Sequence, residues 1–75
     1  SYHLARAGRV NIAMFDTQGR LVRTLAAGAQ LAAGEHVAEW DGRDDSGARV
    51  SPGLYLCRLT TAERSEARRV VMLGD

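Results

Sequence analysis

Three aspartates fall within five positions of the stretch WDGRDDSG, residues 40–47. Clustered carboxylates are what a hard cation or a shared catalytic proton requires. Asp41, Asp44 and Asp45 are therefore the candidate Ca²⁺ ligands, because Ca²⁺ takes several oxygen donors converging on one point. Their spacing lacks the alternating acidic positions and distant closing Glu of an EF-hand loop, and Arg43 sets a positive charge among them. Turn chemistry is the simpler reading: Asp41 accepts from the amides of its own loop, while Gly42 and Gly47 supply left-handed corners. A weak Ca²⁺ site stays as the alternative, and a catalytic carboxylate pair is disfavoured.

Other reactive side chains are sparse. The serines, at positions 1, 46, 51 and 65, lie at the terminus or in turns, and His3 and His36 are the only candidate bases, so no nucleophile–base–acid set is placed on rigid elements. Two histidines and one cysteine without a short-spaced pair give no zinc signature. Cys57 stands alone in an alternating segment, which excludes an internal disulfide and predicts a small buried hydrophobe. All ten basic residues are arginine. The missing lysine amine excludes P-loop catalysis, Schiff-base chemistry and lysine–asparagine isopeptide crosslinks. Ten basic against nine acidic residues leave a charge of +1 without a clustered basic face, so nucleic acid is not an expected partner. No apolar run approaches the roughly 18 residues of a membrane span, and no signal-peptide pattern opens the chain.

The elements that must carry these residues read as strands. Val10, Ile12 and Met14 alternate with Arg9, Asn11 and Ala13, the period of a half-buried strand over residues 9–16. Asp16 and Gly19 then supply the acceptor and the positive φ of a tight turn, and the chain resumes over residues 20–27 as the second arm of a hairpin. AAGAQLAAGEH reads as a small-residue loop. Further strands are expected at residues 2–4, 35–41, 53–60 and 66–73, with turn signals every 8–12 residues or so, which predicts an all-β sandwich or barrel and argues against βαβ units. Pro52 suits the entrance of a strand. Trp40, Tyr55 and Phe15 are expected in the core rather than as an exposed sugar-binding platform. Residues 1–75 form one domain, with about 60% of the unfolded chain's surface buried at this size.

The order of these features resembles a known module. Trp40-Asp41-Gly42-Arg43-Asp44, Gly47 and Gly53-Leu54-Tyr55, preceded by Asp16-x-x-Gly19 and Leu21-Val22-Arg23-x-Leu25, look like the immunoglobulin-like module of the flagellar hook-capping family. They look equally like the related C-terminal sorting domains of bacterial proteins exported by the type IX secretion system. The resemblance implies a small immunoglobulin-like (fibronectin III-like) antiparallel β-sandwich of about six or seven strands, without catalytic activity or cofactor. It also implies protein partners, no membrane insertion, and a place outside the cell or on its surface after export. Arg69, Val70, Val71, Met72 and Leu73 fit the basic-led closing strand of the sorting branch, which makes a C-terminal sorting module of a larger secreted protein the leading expectation. The alternatives are a structural module of a hook-capping or other extracellular assembly, and a carbohydrate- or Ca²⁺-binding accessory sandwich.

Overall fold

Strand β2 (Gly8–Phe15) organises the structure, a computed structural model that describes residues 1–74. Val10, Ile12 and Met14 are 1%, 3% and 1% exposed, whereas on the other face Arg9 and Asn11 are exposed and Ala13 is half-buried. The contrast is this sharp because β2 is an inner strand. It pairs antiparallel with β3 (Leu21–Leu31) on one side and with β5 (Gly53–Thr60) on the other. β5 in turn pairs with β6 (Ser65–Met72), giving a four-stranded sheet in the order β3-β2-β5-β6.

The second layer is small. β1 (Tyr2–Leu4) and β4 (Gly34–His36) form an antiparallel pair of three residues each, and Leu4 lands on Val10 and Ile12 to make the buried core. Tyr2, Leu25, Leu31, Cys57 and Leu59 pack around that contact. The Tyr2 and His36 rings stack across the pair with centroids 5.5 Å apart. The architecture is thus an all-β, sandwich-like fold of six strands in two antiparallel sheets, with no helix among the described residues.

Several boundaries depart from the sequence reading, each for a physical reason. β3 continues through AAGAQL instead of ending near residue 27, because its eleven residues oppose the eight of β2 through three single-residue register shifts. One shift falls where Gly28 takes φ 65° and donates its amide to Asn11 Oδ1 at 2.7 Å, so the glycine marks a bulge rather than a loop. β4 ends at His36 rather than 41, which leaves Ala38 and Trp40 outside any strand. β6 spans 65–72, so Leu73 lies beyond it and is 81% exposed. Of the three aromatics expected inside, only Tyr55 is buried. Trp40 is half-buried at the sandwich end, and Phe15 sits on the outer face of the large sheet beneath the Arg58 guanidinium, 5.7 Å from its ring centroid.

The layer contact sets a contrast between the two faces of the large sheet. Ile12→Ala should cost about 2–5 kcal/mol, whereas Val71→Ala, at a side chain 64% exposed, should stay within about 0.5 kcal/mol. Urea denaturation of the two variants measures this; equal losses would show that the outer face carries as much packing as the inner one.

Candidate functional site

The acidic loop is built from its own backbone bonds. Asp44 Oδ1 accepts from the Ser46 amide at 2.9 Å, the Ser46 hydroxyl at 2.6 Å and the Ala48 amide at 3.1 Å, while Asp44 and Gly47 close the turn through backbone bonds. Asp41 Oδ1 accepts from the Arg43 amide at 3.0 Å. Gly42 and Gly47 take φ 77° and 90°, the corners the sequence required, and a side chain at Gly42 would also press on Met72. The Trp40 indole donates to the Arg43 carbonyl at 2.9 Å and meets Tyr55 edge-on at 5.2 Å. Tyr55 itself donates to the Ser51 carbonyl, tying the start of β5 to the loop.

Asp45 turns outward from this loop and engages β3. Its amide donates to the Val22 carbonyl at 3.0 Å, and its Oδ1 accepts from the Thr24 amide at 3.0 Å. Since β3 is an edge of the large sheet, the loop occupies backbone groups that would otherwise lie open to another chain. Arg23 reinforces the junction: it donates to the carbonyls of Arg43 and Asp44 at 3.3 Å and lies 3.7 Å from Asp41 and 3.9 Å from Asp45. Of the three aspartates that suggested a cation site, Asp44 turns into its own loop while Asp41 and Asp45 flank the Arg23 guanidinium, and among the described residues no three His, Cys, Asp or Glu side chains converge on one point.

Asp16 repeats this chemistry in the β2–β3 turn. One oxygen accepts from the amides of Gln18 and Arg20, each at 2.9 Å, and the other from Arg20 Nε at 3.0 Å; Gly19 takes φ 83°. These bonds favour the ionised carboxylates. The Arg20 amide first of all holds the Asp16 carboxyl below its ordinary value, and the Ser46 hydroxyl does the same for Asp44, aided by the Ala48 and Ser46 amides.

The remaining singled-out residues are dispersed. His3 pairs with Glu35 at 2.9 Å on the exposed side of β1–β4, and His36 Nε2 contacts the Ala32 carbonyl at 2.7 Å. Cys57 is half-buried against the core, and burial pushes its thiol up although Arg68, its partner across β5–β6, acts the other way. Arg69, Val70, Val71 and Met72 run along β6, the second edge of the large sheet, whose eight pairs with β5 show no register shift. Gly53 opens β5 at φ 146° directly after Pro52. Reasoning from sequence placed Arg23 in the Leu21-Val22-Arg23-x-Leu25 block but missed its role in joining loop to strand; the signals were that block and a charged side chain between Val22 and Leu25.

Comparison with known proteins bears on this arrangement. A family model described as the FlgD Ig-like domain matches residues 2–65, from the first residue of β1 to the first of β6. Two curated proteins, each called basal-body rod modification protein FlgD, come from Salmonella typhimurium (strain LT2) and Salmonella typhi. Each is 39% identical over 56 residues, covering 75% of this chain and 24% of the relative. The chain thus spans about a quarter of the length of these curated relatives. No solved structure matches it.

Two outcomes test the loop. Folded-state carboxyls held below their ordinary value of about 3.9 contribute stability that is present above that pH and is lost as pH falls through the lowered values. The urea midpoint should therefore drop as pH falls below about 4, and Asp44→Asn should flatten that dependence; an unchanged acid limb would refute the assignment. In Asp45→Ala, hydrogen exchange at the Thr24 amide should speed up roughly tenfold, while the β2–β5 ladder stays protected. Unaltered exchange at Thr24 would mean that the loop does not guard the β3 edge.

Proposed function

Because the chain belongs to the family of FlgD Ig-like domains, we propose that it is a non-catalytic structural module of a flagellar hook-capping assembly. The match over residues 2–65 carries this reading, and the likeness to the two basal-body rod modification proteins supports it. The chemistry agrees: its aspartates serve turns and a sheet edge, and its histidines and cysteine lie apart. In this role the module packs against protein neighbours outside the cytoplasm, with no cofactor and no nucleic acid. The outer face of the large sheet offers Leu21, Leu54 and Val71, which are 54%, 41% and 64% exposed, as apolar contact area.

The type IX sorting role is the second reading, favoured by one feature. Arg69–Met72 lie on an unbulged edge strand with Leu73 beyond it, suited to pairing with a translocon component. That strand falls almost wholly outside the residues the family model matches, so the comparisons support the hook-capping role and not this one.

Deleting the module from its parent protein in a flagellated host separates the two. Loss of hook assembly, seen by electron microscopy, is the expected result; normal hooks together with export of a reporter fused to residues 1–75 in a type IX-competent host would overturn it in favour of the sorting role.

A further inference from the structure

The small sheet stops where β1 runs out of residues. Its register pairs Leu4 with Gly34, His3 with Glu35 and Tyr2 with His36, so each step back along β1 is a step forward along β4. Continued, that register sets Ser1 opposite Val37, the first residue ahead of Ser1 opposite Ala38, and the third ahead opposite Trp40. Residues 37–40 keep the alternating pattern of a strand, yet have no strand partner among the described residues, and Val37 is 72% exposed.

A groove of about 180 Å³ lies beside this unpaired stretch. Tyr2, Ile12, Ala38, Cys57, Leu59 and Val70 supply its apolar lining, and Ser1, Glu66, Arg68 and Arg69 its polar part. The backbone there is already oriented. Ser1 turns its carbonyl to Arg68 Nη1 at 2.9 Å, away from β4, and across the trans peptide the Tyr2 amide points the opposite way, toward His36. Residues whose backbone groups face a given partner alternate along an antiparallel strand. After Tyr2, the next to face this partner is the residue ahead of Ser1, and what it meets is Ala38.

We propose that the residues directly ahead of Ser1 in the parent protein extend β1 along residues 37–40, closing the groove and lengthening β4 to Trp40. The occupant is this segment rather than a separate strand because β1 runs into the groove without a turn. Relatives of which the chain spans 24% also leave ample polypeptide to supply it. The first and third residues of the segment face inward and are apolar; the second faces solvent beside Glu39.

Amide hydrogen exchange tests this on three forms: residues 1–75, the same chain lengthened by the parent's own four preceding residues, and one lengthened by Thr-Val-Thr-Val. In the natively lengthened form, exchange at Ala38 and Trp40 should slow at least about tenfold, while Val37 and Glu39 keep their rates. Alkylation of Cys57 by iodoacetamide should slow in parallel, since the added strand covers that wall of the groove. Unchanged exchange in both lengthened forms overturns the proposal. Protection by Thr-Val-Thr-Val alone overturns the choice of occupant, and protection of Val37 and Glu39 instead overturns the register.

Discussion

The sandwich rests on one narrow contact, Leu4 seated on Val10 and Ile12. β1 and β4 are three residues each, so their ladder alone contributes little, and the second layer stays in place because Leu4 buries its side chain against the middle of β2. Burying each such side chain contributes about 1.5–3 kcal/mol. In a domain whose whole stability is of order 5 kcal/mol, that contact decides whether two layers exist. The Tyr2–His36 stack widens it, and Leu25, Leu31 and Leu59 surround it.

Since so little core is available, the polar residues hold the chain between strands. Asp16 and Asp44 each gather several donors of one turn, which replaces water around amides that a tight corner would leave unpaired. Asp45 goes further by bonding both a donor and an acceptor of β3, so a loop that looks like a binding site in sequence is closer to a short extra strand laid on a sheet edge. Arg23 makes this tolerable electrostatically, because its guanidinium lies among two carboxylates and two carbonyls.

Legibility followed the simplicity of the pairing. β2 and β5 were read within a residue, because both are inner strands with an unshifted register between them, and β2 also keeps a clear period of two. The Asp16–Gly19 turn and the glycine corners at 42 and 47 were read for a similar reason: each needs a residue type that few alternatives satisfy. β3 was cut short because three register shifts break the period, and Gly28 looks like a loop signal until Asn11 is seen to cap it. Trp40 was placed on a strand by an alternation that is genuine in residues 35–41, although pairing ends at His36. In the candidate loop the residue types pointed correctly to turn chemistry. The bond from Asp45 to Thr24 spans 21 positions, and local spacing carries no trace of it.

The two edges of the large sheet are unequal. β3 is bulged three times and covered in part by the Asp45 loop, both of which discourage a foreign strand. β6 has neither protection; it is regular over eight residues and guarded by charge alone, with Glu66, Arg68 and Arg69 along it and Glu66 within reach of Arg64 and Arg68. Charged side chains deter pairing with an apolar strand but permit it with one of complementary sign. The large sheet thus has one edge covered in part by its own loop and one left to charge, so β6 is the edge of that sheet where an added strand of complementary sign meets the least obstruction.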